Sequence, residues 1–164
     1  MCQGPQPAEA KSCTQLQQEY AILIKHQMEK QGVSIRCLVD EGIIKRSHRN
    51  RFFDRVAEGS LSYAEINKIT ERLGIDPVRA AITVQCFAHP ESYEDPCCET
   101  SAHVATALAV HLTEEMAACE GTFEPLRQSL CQGLAKRATN EIARNHARIE
   151  TQREAITIGD QAFG

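Results

Sequence analysis

The seventeen residues 43–59 read IIKRSHRNRFFDRVAEG, and this basic stretch carries the most specific local pattern in the chain. It holds five Lys or Arg side chains against two acidic ones, although the whole chain has a net charge of −4. Phe52 and Phe53 precede Val56 by four and three residues, so a helix would place all three on one side and most basic side chains on the other. The stretch therefore predicts a short helix with an aromatic inner face and a basic outer face.

The two ends of this predicted helix are marked in the sequence. Ser47 is suited to cap a helix N-terminus, and Gly59 stands where a left-handed residue commonly ends a helix. A short helix with this basic outer face is suited to enter a DNA major groove. The alternative is an ordinary surface helix whose basic side chains are simply solvated, and the stretch alone leaves both interpretations open.

The composition indicates an all-α protein. Aromatic residues make up only 5% of the chain, Trp is absent, and no long run alternates β-branched residues. No segment of about 18 apolar residues occurs, so we expect no membrane-spanning helix. Residues 1–12 lack the pattern of a secretory signal, and their Pro, Gln and Gly content predicts disorder. We therefore expect a cytoplasmic protein with a disordered N-terminus.

Charge is distributed unevenly along the chain. Residues 1–85 carry twelve basic and ten acidic side chains, a balance of +2, whereas residues 86–164 carry six and twelve, a balance of −6. A mildly basic front half and an acidic back half indicate two separate roles. The overall acidity does not exclude binding to nucleic acid, because the location of charge matters more than its total.

Capping signals divide the front half into five short helices. A helix over residues 14–30 is followed by helices with caps at Ser34, Ser47, Ser62 and Asp76. Ser62 opens a capping box with Glu65 three residues later, and Pro77 after Asp76 occupies a first-turn position that favours proline. Five short helices joined by tight turns predict a small bundle.

Residues 16–82 resemble a Cro/C1-type, or Xre-like, helix-turn-helix domain. The strongest match is the pattern S-x-x-E-I-x-K-I-x-x-x-L-G-I-D that begins at Ser62, which resembles the fourth helix of that family and the turn after it. Residues 32–39 resemble the start of its second helix, and Gly59 resembles the glycine that ends its recognition helix. One departure is a turn at residues 41–45 that is longer than the small-residue turn of the family.

The resemblance implies a five-helix DNA-binding domain over residues 13–86 in a transcriptional regulator, with the helix at about residues 47–58 in the major groove of double-stranded DNA. The candidate DNA-binding residues are Ser34, Arg36, Arg46, Ser47, His48, Arg49, Asn50, Arg51 and Arg55. Arginine pairs with guanine and asparagine with adenine at base edges. Ser34 and Arg36, at the start of the second helix, are suited to hold a phosphate.

The back half predicts a linker and a two-helix extension. Residues 87–100 contain two prolines, several acids and no apolar periodicity, which is typical of a linker. A helix over 101–119, capped by Thr100 or Ser101, and a longer one over 122–156, opened by Thr122 with Pro125 in its first turn, should follow.

The longer helix is a candidate for assembly of the protein. Its apolar stripe consists of Leu126, Leu130, Leu134, Ile142, Ile149 and Ile156, the last three of which are seven residues apart. Because a seven-residue repeat is typical of a coiled-coil seam, we expect a homodimer formed through this long helix, within the C-terminal region of residues 101–164. The alternatives are a helix that frays after Ile142, and a surface that binds another transcription protein through its acidic residues.

The eight cysteines indicate no disulfide framework. Without a predicted signal, a reducing compartment is expected, with most thiols buried as small apolar groups. One cluster contains residue types that bind zinc: Cys86, His89, Cys97, Cys98 and His103. Neighbouring side chains such as Cys97 and Cys98 usually diverge, so this cluster is a poor tetrahedral set. We expect neither metal nor cofactor.

No catalytic motif is recognisable. The sequence has no nucleophile elbow, phosphate-binding loop or dinucleotide fingerprint, and we expect no enzyme. The alternative to a DNA-binding regulator is a helical protein-interaction module, such as a transcription co-regulator or polymerase-binding adaptor, with little intrinsic DNA specificity.

Overall fold

The structure, a computed structural model, describes residues 11–87 and 89–162, with side chains through residue 154. The α-helices are α1 Cys13–Gln31, α2 Ile35–Asp40, α3 Phe52–Ala57, α4 Tyr63–Arg72, α5 Pro77–Cys86, α6 Pro96–Ala118 and α7 Gln128–Ala162, and 3-10 helices span Arg46–Arg51 and Pro90–Glu94. These residues form no strand. The predicted all-α class is therefore confirmed. Most of the predicted disordered N-terminus, residues 1–10, lies outside the described residues.

The helix starts follow the capping signals at most positions. The side chains of Ser34, Ser62 and Asp76 each accept a hydrogen bond from the backbone N–H three residues on, at 3.2, 3.2 and 2.6 Å. Ser12 caps α1 in a reciprocal box with Gln15. Each such bond satisfies an N–H that has no partner inside its helix, and is worth roughly 1 kcal/mol.

The core of the first five helices is built around α1. This helix packs against α3, α5 and the second 3-10 helix. The core members with the least exposed side chains are Leu23 and Ile24 of α1, Leu38 of α2, Phe52 of α3, Ile69 of α4 and Ala80 of α5. Burial of one large apolar side chain contributes about 1.5–3 kcal/mol, so this cluster holds the short helices together.

The predicted third helix has a different start and a different form. Ser47 is not its cap: the chain is extended at Lys45 (φ −70°, ψ 140°), and a 3-10 helix begins at Arg46. The His48 N–H donates to the carbonyl of Lys45 at 2.8 Å, which is the i to i+3 bond of this tighter helix. Only from Phe52 does the chain become α-helical, and Gly59 ends α3 with a φ of +65°.

The expected linker at residues 87–100 is instead folded onto the bundle. Pro90–Glu94 is a 3-10 helix, and α6 begins at Pro96 rather than at residue 101. The buried Tyr93 accepts a hydrogen bond from the Asp76 N–H at 2.9 Å. Glu94 accepts bonds of 2.6 Å from both Gln27 and Lys30 of α1. These tertiary contacts supply the order that the sequence pattern does not show.

A lysine links the start of α1 to the end of α5. The Lys11 ammonium donates to the carbonyls of Val84 and Phe87, at 2.6 and 3.1 Å, and pairs with Glu19 of α1 at 2.6 Å. The carbonyls at a helix C-terminus lack partners inside the helix and carry partial negative charge, so a cation there is favourable.

The chain divides into two compact units, residues 1–117 and residues 118–164. In the second unit, residues 122–127 are not helical and α7 begins at Gln128, so the predicted start at Thr122 is wrong. Pro125 disfavours helical geometry at Glu124, which keeps a helix from running on from Thr122. No helix in the described part of the chain is long and apolar enough to cross a membrane.

Candidate nucleic-acid interface

The basic 3-10 helix, Arg46–Arg51, distributes its side chains over its faces differently from an α-helix. With three residues per turn, side chains at i and i+3 lie above one another. Arg46 therefore shares a face with Arg49, and Ser47 shares the next face with Asn50. The α-helix predicted from the sequence would have spread these side chains around its circumference at 3.6 residues per turn.

Three arginines line one surface depression. Its lining residues are Arg36, Val39 and Asp40 from α2, and Arg46 and Arg49 from the basic 3-10 helix, which packs against α2. Arg36 makes an exposed ion pair with Asp40, at 3.6 Å. Among the described residues, no ion pair involves Arg46 or Arg49. The depression therefore carries more positive than negative charge, which suits it to an anion.

Ser34 lies at the start of α2. Its side chain is exposed and accepts a hydrogen bond from the Cys37 N–H at 3.2 Å, and its Oγ is also 3.1 Å from the Cys37 Sγ. The hydrogen bond from Ser34 lowers the pKa of the Cys37 thiol. Ser34 thus serves as a cap, which matches the position that the sequence predicted for it.

His48 turns toward α4 rather than toward solvent. Its Nδ1 lies 3.3 Å from Oε1 of Glu65, and both side chains are only 17% exposed. Neither of these two atoms satisfies hydrogen-bond geometry, so the contact is a close electrostatic approach. The hydrogen bond from the Ser62 backbone N–H is the main cause that lowers the pKa of Glu65. The hydrogen bond from the Ser62 hydroxyl and the nearby basic side chains of His48 and Lys45 lower this pKa further. In this conformation His48 contributes to the packing of the basic 3-10 helix on α4.

Two further candidate arginines contact groups near them in the chain. Arg51 donates to Oε1 of Glu58 at 3.3 Å, although its side chain remains 69% exposed. Arg55 donates to the Ser60 carbonyl at 2.8 Å, and the Ser60 hydroxyl donates to the Arg55 carbonyl at 3.3 Å. Arg55 Nε is buried without a hydrogen-bond partner among the described residues. Through these two hydrogen bonds, Arg55 stabilises the turn after α3.

The nine candidate residues thus form distinct groups. Arg36, Arg46 and Arg49 meet at the depression, while Ser47 and Asn50 are on the adjoining face of the basic 3-10 helix. The sequence reasoning missed Asp40 as the ion-pair partner of Arg36. The signal for that contact was present, because positions i and i+4 of a helix are neighbours.

The thiols do not follow the sequence-based expectation. Of the cysteines that the structure describes, Cys98 is buried and Cys37 half-buried, whereas Cys13, Cys86, Cys97, Cys119 and Cys131 are exposed. The expectation that most are buried is therefore wrong for this set. Over the same part of the chain, no group of three or more His, Cys, Asp or Glu side chains is arranged to hold a metal ion.

Comparisons of the chain with family models, with curated proteins and with solved structures found no match.

Proposed function

We propose that this chain is a sequence-specific DNA-binding transcriptional regulator whose contact surface is the depression and the adjoining face of the basic 3-10 helix. The observation that supports it is the convergence of Arg36, Arg46 and Arg49 from two elements in a protein of net charge −4. Positive charge concentrated on one face is the electrostatic footprint expected of a nucleic-acid-binding surface.

The side chains on this surface suggest a division of roles. Arg36 on α2 is suited to a phosphate contact, which positions the protein without reading sequence. Arg46 and Arg49 are suited to guanine O6 and N7, and Asn50 on the neighbouring face to adenine N6 and N7. Arg51 and Arg55 already contact the Glu58 carboxylate and the Ser60 carbonyl, so we assign Arg55 to structural support and give Arg51 a secondary role.

The order of elements is compatible with the Cro/C1-type resemblance. In this interpretation α2, the basic 3-10 helix and α3 take the place of the helix-turn-helix, with the lengthened turn at residues 41–45 between them. The basic 3-10 helix would then present the base-reading side chains, and the six-residue α3 would anchor it to the core through Phe52 and Val56.

The test begins with selection of bound sequences from a random duplex library by the intact chain. Affinity for the selected site is then measured by fluorescence anisotropy over a range of salt concentrations. Loss of one phosphate contact in Arg36→Ala should make the slope of log K against log salt shallower by about 0.9. Asn50→Ala should lose about 1–3 kcal/mol of discrimination at one base pair.

The control variant is Arg137→Ala on α7. It removes the same charge from an exposed position in the other unit, so it should leave the salt slope unchanged. The proposal is contradicted if the library yields no enriched site, or if the triple variant Arg36→Ala, Arg46→Ala, Arg49→Ala binds the selected site as well as the unmodified chain does.

A second candidate function is supported by the far part of α6. Val104, Leu108 and Leu112 follow one another at four-residue steps, and their side chains are 41%, 61% and 41% exposed. An exposed apolar row of this kind is typical of a surface that binds another protein. Failure to select any DNA site, together with intact folding, would favour this interaction module over the DNA-binding regulator.

A further inference from the structure

We propose that α7 packs against α7 of a second copy of this chain as an antiparallel pair, with Glu141 of each copy facing Arg148 of the other. Several apolar side chains of α7 are exposed, among them Ile142 and Ile149, which are seven residues apart. The arrangement concerns assembly alone and does not depend on whether the first unit binds DNA.

The contact surface follows a seven-residue repeat. Taking Ile142 and Ile149 as one position of the repeat places Ala135 seven residues earlier on the same line. The line three residues further on contains Ala138, Asn145 and Gln152. Ile142 and Ile149 are 40% and 37% exposed, and both alanines are exposed. We call these two lines the α7 seam.

An antiparallel register gives the seam complementary shapes. When the two helices cross with their centre between residues 143 and 144, the large Ile149 faces the small Ala138 of the partner. Ile142 then faces the partner's Asn145, whose side-chain oxygen already accepts a 2.8 Å hydrogen bond from Arg148 on its own helix. When the dimer forms and Asn145 is buried at the seam, that bond keeps its side-chain oxygen hydrogen-bonded. This lowers the free-energy cost of burying Asn145 there.

The charged side chains beside the seam favour the antiparallel over the parallel orientation of the two helices, as flanking charges do in coiled coils generally. In the antiparallel register Glu141 lies opposite the partner's Arg148, and the two-fold axis repeats this attractive pair. In a parallel dimer Arg148 would instead lie opposite the partner's Arg153, also twice. Glu141 is 3.6 Å from Arg144 in an ion pair that is more than 70% exposed on both sides, so its carboxylate is available for a second cation.

The test is sedimentation equilibrium of the intact chain without DNA. The unmodified chain should form a dimer. Glu141→Arg creates two Arg–Arg contacts and Arg148→Glu creates two Glu–Glu contacts, so each variant alone should raise the dimer dissociation constant by roughly tenfold. An equimolar mixture of the two variants should recover dimer formation, because every facing pair in the mixed dimer is then Arg with Glu.

Controls with the same charge changes lie off the seam, at Lys136→Glu and Glu154→Arg, and these should not alter the dissociation constant. Circular dichroism should confirm that all variants keep their helix content. A monomeric unmodified chain overturns the proposal. So does a tighter dimer of Arg148→Glu, because in a parallel pair that substitution would place a carboxylate opposite the partner's Arg153. Equal weakening by the seam variants and by the off-seam controls would also overturn it.

Discussion

Replacing Gly59 with alanine tests both the end of α3 and its close approach to α1. Gly59 has a φ of +65°, and a Cβ built there would overlap the side-chain amide of Gln17. Gly32 makes a matched control, since its φ is also +65° and no atom lies within 4 Å of a Cβ built there. The two substitutions therefore share the backbone cost and differ in the steric one.

The expected magnitudes follow from these two terms. An L side chain in the left-handed region costs about 1–2 kcal/mol, so Gly32→Ala should lower the free energy of unfolding by about that amount. Gly59→Ala should cost only about 0.5 kcal/mol more, because the overlapping group is the far end of the flexible Gln17 side chain, which can rotate away. The double variant Gln17→Ala, Gly59→Ala should lose most of that excess.

The assay is urea denaturation followed by tyrosine fluorescence. All three tyrosines, Tyr20, Tyr63 and Tyr93, lie in the first unit and the chain has no Trp, so the signal reports on that unit alone. The reasoning about the contact between α1 and the end of α3 is refuted by two results together. Those results are that Gly59→Ala is no less stable than Gly32→Ala, and that adding Gln17→Ala does not raise the stability of Gly59→Ala.

Two further predictions concern single side chains of the first unit. The pKa of Glu65 is lowered in the folded protein, so its stabilising contribution is present above the ordinary carboxyl pKa and is lost as the pH falls through the folded value. Glu65→Gln should therefore destabilise the protein at about pH 6 more than at about pH 3, measured by thermal melting. An equal loss of stability at the two pH values would contradict the lowered pKa of Glu65. Tyr93→Phe removes the acceptor of the Asp76 N–H and should cost about 1–3 kcal/mol in urea denaturation, and an unchanged midpoint would show that the bond contributes nothing.

Helix starts were predictable where the capping contact is local. Ser34, Ser62 and Asp76 each bond to an N–H three residues away, so the information lies within one turn of chain. Ser47 has the same residue type but fails as a cap. The extended backbone at Lys45 lets a 3-10 helix begin before Ser47 is reached, and no short-range pattern specifies that geometry.

Order in the segment after α5 was not predictable because its contacts are distant in sequence. Glu94 bonds to Gln27 of α1, which is 67 residues away, and Tyr93 bonds to the backbone of Asp76, which is 17 residues away. Neither contact produces apolar periodicity. A segment with two prolines and several acids therefore resembles a linker until its tertiary partners are known.

The candidate surface was predictable in composition but not in arrangement. The sequence identifies a basic stretch, yet it cannot show that Arg46 and Arg49 line one depression with Arg36, since that depends on the 3-10 geometry and on packing against α2. Nor can it show that His48 turns toward Glu65, because that contact requires α4 to fold back on the basic 3-10 helix.

The Lys11 contact has a consequence for local unfolding of the first unit. Its ammonium joins the start of α1 to the last carbonyls of α5. If either helix end frays, the 2.6 Å bond to the Val84 carbonyl is lost. Backbone amides at the start of α1 and the end of α5 should therefore exchange with solvent in a single opening event rather than two. The ends of a helical bundle commonly open first, and here one side chain ties them into the same cooperative unit.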